Sequence, residues 1–199
     1  MNLSEILILR LVFAAVAAMA GAFVAVSFKK ISHLGLCVLI SFAAGALLAV
    51  ALFDILPEAI EAVGFFKGMA SFLSGYALFY LITKFVFHVC PACSATHAEV
   101  NFKAITISMV IALSIHSFMD GLAIYSGQVT GSNIGFLILV AVIYHKFPEG
   151  MALSLVALGS GMCRPKAFFL SFSLETVTTL GGGLIGLFFM RPETSHLSG

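Results

Sequence analysis

Charged side chains are scarce in this chain. Only 10% of its 199 residues are Asp, Glu, Lys or Arg, against 61% hydrophobic, whereas a soluble domain carries roughly 25% charged residues. That scarcity excludes an ordinary water-soluble fold. The net charge is only +1, and no nucleic-acid partner is expected. The H-E-x-x-H pattern of zinc proteases is missing too. So is the basic start of a secretory signal. Glu5 precedes an apolar run of more than 20 residues, longer than the roughly 7–15 of a signal's apolar core, so "AMAGA" at 18–22 is read as part of a membrane helix. Of four cysteines, only Cys90 and Cys93 stand at C-x-x-C spacing; Cys37 and Cys163 read as structural or incidental.

What is present is apolar length. Runs at about 6–28, 34–56, 65–87, 103–127, 134–157 and 167–190 are each long enough for a hydrocarbon core that needs roughly 20 helical residues. The expectation is an all-α, polytopic membrane helix bundle with six transmembrane helices in the lipid bilayer. Residues 1–199 form a single transmembrane domain, because the connections leave no room for a soluble one. Lys29, Lys30, Lys84, Lys103, Arg164 and Lys166 fall in loops on one side, against Arg10, Lys67 and Arg191 on the other. That bias predicts cytoplasmic loops carrying the first group, with the N-terminus and C-terminus outside. Small residues recur in the first two runs, and Gly182 and Gly186 repeat the pattern in the sixth. Helices can approach closely at such positions.

Two polar signatures interrupt the apolar runs. "HKFPEGMA" at 145–152 has a near copy 29 residues upstream, "HSFMDGLA" at 116–123. His116 and Asp120 are four residues apart, as are His145 and Glu149, so each pair lies on one helix face. All four fall near the middle of their spans, and Glu175 stands halfway along the sixth. One ionised residue at a bilayer centre costs about 2.5–3.5 kcal/mol, so Asp120, Lys146, Glu149 and Glu175 together demand a specific partner. Two imidazoles and two carboxylates from adjacent antiparallel helices form an N2O2 set suited to Zn²⁺, with Fe²⁺, Mn²⁺ or Co²⁺ also accommodated. Pro148 has no N–H for the Tyr144 carbonyl, which predicts a bend just before Glu149. Duplicated motifs on opposed helices are a feature of inverted-repeat transporters, whose sites lie at the midplane.

"HSFMDGLAI" and "HKFPEGMALS" resemble the paired signatures of the ZIP (Zrt/Irt-like) metal transporters. "LFDILPEA" at the end of the second run, and Glu175 ahead of "TTLGGGLIG", resemble the corresponding family segments. The resemblance implies transport of a divalent transition metal into the cytosol, with His116, Asp120, His145 and Glu149 as ligands, and Glu175 is counted with them among the metal-site residues. It also implies a homodimer and elevator-like sliding of a bundle made from the first, fourth, fifth and sixth spans. Family members usually have eight spans, and six are expected in these 199 residues; the other pair would belong to the scaffold part rather than to the metal-carrying bundle. Lys146 stands where many relatives have an acidic or amide residue that helps hold a second metal. A fixed ammonium there should repel a second cation and pair with Glu175, which predicts one metal rather than two. Ser117 replaces a common Asn with a shorter oxygen donor.

Other groups are candidates of a different kind. Asp54, Glu58 and Glu61 cluster at the outer end of the second run, where they would form an acidic mouth that gathers cations or simply a solvated helix end. "HVCPACSATH" offers His88, Cys90, Cys93 and His97 as loop ligands for a soft metal, a redox pair, or an unoccupied cytoplasmic loop. Function divides between a metal-ion transporter of the plasma (cytoplasmic) membrane and an intramembrane zinc hydrolase in which Glu175 would be the base. The expectation is the transporter, not an enzyme, with Zn²⁺ as the transported substrate and Fe²⁺, Mn²⁺, Cd²⁺ or Co²⁺ as other cargoes.

Overall fold

The computed structural model describes residues 2–28, 33–85 and 102–189. Among them every regular element is helical: α1 (Leu3–Ser27), α2 (His33–Val50), a π-helical turn (Ala51–Ile55), α3 (Leu56–Val63), α4 (Phe65–Phe85), α5 (Phe102–Thr130), α6 (Ser132–Gly159) and α7 (Arg164–Phe189). Five stretches are long and apolar enough to cross a membrane, namely α1, the run Cys37–Val63, α5, α6 and α7. The chain is a polytopic membrane helix bundle. The remaining long helix, α4, has 21 residues and so the reach to cross, but Lys67, Lys84 and several Ser, Gly and Tyr residues dilute its apolar character.

Several helices differ from the apolar runs that predict them. The second continues past residue 56 to Val63, even though Pro57 opens α3. Proline cannot donate to the carbonyl four residues back, at Phe53, and the wider π turn just ahead of it absorbs that lost bond without stopping the chain. Gly64, at φ +86°, then ends α3 in a left-handed conformation that glycine adopts without steric penalty, and its N–H closes on the Ile60 carbonyl at 2.8 Å. In α6 the helix runs unbroken through Pro148.

Four helices form the body. α1 lies along α6 and α7, α5 packs between α6 and α7, and α2 leans on α6, while α4 packs on α3. α1 buries one stripe, Leu7, Leu11, Ala14, Ala18, Gly21, Ala22 and Ala25, at the three- and four-residue steps that keep side chains on one face. α7 buries a matching stripe, Ala167, Ser171, Glu175, Thr179, Gly182, Gly183 and Gly186. One apolar cluster gathers Leu7, Leu11, Ile124, Tyr125, Leu139 and Val142, and a second gathers Ala25, Ala43, Met151, Ala152 and Leu155. In α6 the polar signature lies between the two clusters, with Leu139 and Val142 before it and Met151, Ala152 and Leu155 after it.

Small residues set how near the backbones come. A Cβ on Gly121 would overlap the Thr179 carbonyl, one on Gly182 the Phe118 carbonyl, and one on Gly150 the Ala18 carbonyl. These three contacts clamp α5 to α7 and α6 to α1 on either side of the acidic residues. In lipid, where no hydrophobic drive joins helices, such contact is a main source of association. Gly181, next along α7, has nothing within 4 Å of its would-be Cβ. Gly182→Leu is therefore expected to destabilise the bundle by about 1–3 kcal/mol or more, while Gly181→Ala leaves it within about 1 kcal/mol of the parent; thermal unfolding in detergent, followed by circular dichroism, reads both.

Candidate metal centre

α5 and α6 run in opposite directions and turn their signatures toward each other. α5 contributes His116, Ser117 and Asp120; α6 contributes His145, Lys146 and Glu149; α7 adds Glu175. His116 Nε2 lies 2.9 Å from Glu149 Oε1 and 3.7 Å from Asp120 Oδ1, and His145 Nε2 lies 3.3 Å from the same Asp120 oxygen. One donor atom from each of His116, Asp120, His145 and Glu149 falls within 4.8 Å of all the others. A tetrahedral ion with ligands at about 2.0–2.1 Å has ligand-to-ligand edges of about 3.3 Å, so these separations bracket the size such an ion requires. The two rings are tilted at 54° with centroids 5.4 Å apart.

Burial of the four is uneven. Asp120, His145 and Glu149 are buried, whereas the His116 side chain is 37% exposed. The centre therefore opens past His116.

A second constellation shares the same carboxylates. The Lys146 ammonium donates to Ser117 Oγ at 2.6 Å, Glu149 Oε2 at 2.9 Å and Glu175 Oε2 at 2.7 Å. Those three bonds use all the N–H groups an ammonium has. A fourth oxygen, Asp120 Oδ2, is paired with it at 2.8 Å through charge. The Ser117 hydroxyl in turn donates to Glu175 Oε2 at 2.6 Å. Three carboxylates thus surround one ammonium, so acidic groups outnumber the basic one by two. Each acid is shared out: Asp120 Oδ1 and Glu149 Oε1 face the histidines, and Oδ2 and Oε2 face the ammonium.

Residues not singled out from sequence extend the polar stripe of α7. Ser171 and Thr179 lie one turn on either side of Glu175, and the Ser171 hydroxyl donates to the Gly150 carbonyl at 3.0 Å. Thr179 Oγ1, Ser154 Oγ and Glu175 Oε1 are buried without a hydrogen-bond partner. The four-residue spacing 171, 175, 179 was the signal available for them, though hydroxyls so often bond back to their own helix that it was weak. Glu58 and Glu61 stand exposed on α3, apart from the centre, and Asp54 lies on the π-helical turn. His88, Cys90, Cys93 and His97 lie outside the described residues.

Replacing Lys146 alone would leave the acids unneutralised. In chelator-treated protein, Lys146→Ala is expected to lower stability by about 3–5 kcal/mol. Adding Glu175→Gln to that variant should restore part of the loss, a coupling that a double-mutant cycle of unfolding midpoints measures.

Comparison with known proteins places this geometry. The ZIP zinc transporter family profile matches residues 93–199, which holds all seven of these residues. A zinc transporter ZupT of Chlorobium chlorochromatii is 27% identical over 198 residues, 90% of this chain and 73% of that protein. A ZupT of an Enterobacter species is 33% identical over 122 residues, covering 58% of this chain and 48% of the relative, and a zinc transporter of Arabidopsis thaliana is 28% identical over 111 residues, covering 47% and 40%. The chain thus spans less than half the length of the latter two. No solved structure matches it significantly. On the family match over more than half its length, the chain belongs to the ZIP zinc transporter family.

Proposed function

We propose that this chain carries a divalent transition metal, zinc foremost, across the cytoplasmic membrane into the cytosol, and that His116, Asp120, His145 and Glu149 hold the ion on its way. The observation that supports this most strongly is the convergence of four donor atoms within 4.8 Å on helices long and apolar enough to cross a bilayer. Two neutral imidazoles and two carboxylates suit a borderline ion of Zn²⁺ type, and the relatives named above are zinc transporters. Fe²⁺, Co²⁺, Mn²⁺ and Cd²⁺ are further cargoes for the same donor set. We take the number of ions per protomer as one, because Lys146 already fills the space between Ser117, Asp120, Glu149 and Glu175 with a positive charge. Glu175 serves that ammonium rather than the ion directly. A homodimer in which exposed apolar residues of α2 and α4 meet a second copy completes the proposal.

The hydrolase alternative needs a carboxylate free to act as base on a metal-bound water. Glu175 falls outside the four-donor cluster and is tied through Oε2 to Lys146 and Ser117, which favours transport. Purified protein in liposomes should take up radioactive zinc saturably, with one ion bound per protomer. His145→Ala should reduce that uptake by about 10–100-fold, the scale on which a perturbed metal centre loses affinity or activity. Zinc-dependent cleavage of lipid or peptide without any flux would overturn the transport reading.

A further inference from the structure

We propose that Lys146 is a specificity-determining residue: it holds one oxygen of each of two carboxylates, so that a cation at the centre is offered only one oxygen from Asp120 and one from Glu149. The inference rests on the reading of His116, Asp120, His145 and Glu149 as the ligands of the transported ion, and adds how this chain selects among ions.

The geometry is in the division of oxygens. Asp120 Oδ2 and Glu149 Oε2 lie 2.8 and 2.9 Å from the Lys146 ammonium. Asp120 Oδ1 and Glu149 Oε1 are the oxygens within 3.3 and 2.9 Å of the histidine nitrogens. A carboxylate can chelate a metal through both oxygens only if it can turn both toward the ion. Here the buried ammonium holds the second oxygen in place, by a charge-assisted hydrogen bond at Glu149 Oε2, which is a short and strong kind, and by ion pairing at Asp120 Oδ2. The ammonium is itself fixed from the far side by Ser117 Oγ at 2.6 Å and Glu175 Oε2 at 2.7 Å, and Lys146 is 1% exposed. It has nowhere to move. The donor set is thereby fixed at two nitrogens and two single oxygens, four in all.

Ions differ in how well they accept four donors. Zn²⁺ and Co²⁺ are well served by a tetrahedral set. Mn²⁺ and the larger Cd²⁺ favour higher coordination when oxygen donors supply it, commonly by carboxylate chelation, as Ca²⁺ sites illustrate. Lys146 therefore favours small tetrahedral ions by withholding oxygens rather than by adding a ligand, which is selection against the wrong partner.

Cobalt reports this directly, because four-coordinate Co²⁺ absorbs strongly in the visible and five- or six-coordinate Co²⁺ weakly. The full chain in detergent would be titrated with Co²⁺, its bound metal counted by elemental analysis, and its Zn²⁺ preference measured by competition against Cd²⁺ and Mn²⁺. The unsubstituted protein is expected to show intense tetrahedral bands at one ion per protomer. Lys146→Ala is expected to lose most of that intensity and to shift the Zn²⁺ preference toward Cd²⁺ and Mn²⁺ by about tenfold. The double variant Lys146→Ala with Glu175→Gln removes one charge of each sign and should behave the same way if the single variant does not fold. If band intensity per protein and ion preference both stay unchanged while a second Co²⁺ binds, the ammonium merely excludes a second cation and the proposal is overturned. Weak bands in the unsubstituted protein would overturn it as well, the ligand reading surviving if His145→Ala abolishes the binding. Failure of the unsubstituted protein to bind Co²⁺ or Zn²⁺ at all would overturn the ligand reading itself, and this inference with it.

Discussion

One buried ammonium organises the centre of this bundle. Lys146 meets Asp120, Glu149 and Glu175 within 2.9 Å, in a part of the chain where each unpaired charge would cost about 2.5–3.5 kcal/mol. Without it, three acids from three helices would repel one another in a medium of low dielectric. With it, α5, α6 and α7 are joined at one point. Asp120 and Glu149 turn their other oxygens toward the two histidines, so the ion-pair network and the four-donor cluster draw on the same two acids.

The rest of the fold exists to bring those helices close enough. Gly121, Gly150 and Gly182 place carbonyls of neighbouring helices where a Cβ would otherwise stand. The apolar clusters contribute packing beside them but little directional information, since a leucine touches lipid as readily as it touches another helix. It is the small residues that set distance and the charged ones that set rotation. α1 supplies neither charge nor donor to the centre, yet its alanine stripe is the surface on which α6 rests.

Much of this was legible in the sequence, for definite reasons. Apolar length gives membrane helices because the bilayer fixes how long they must be, and the i, i+4 pairs could lie only on one face. The second helix was less legible: the apolar run ended at about residue 56, and the chain instead widened into a π turn and carried on to Val63, an outcome that depends on one extra backbone residue rather than on composition. Lys146 was legible as a charge opposed to a second metal, with Glu175 as its partner. Its contacts with Asp120 and Glu149 were not, because which oxygen of a carboxylate faces which neighbour is a matter of ångströms and not of spacing. Ser171 and Thr179 went unnoticed because hydroxyls so often bond within their own helix.

The two signatures are near copies, but their surroundings are not. α6 is sheathed by α1, α2, α5 and α7, so His145 sits in a closed wall, while His116 on α5 keeps more than a third of its side chain in the open. The pseudo-symmetry of the letters is broken in space. Of two matching imidazoles, one thus forms the outer face of the cluster and the other its inner wall, with the acids between them.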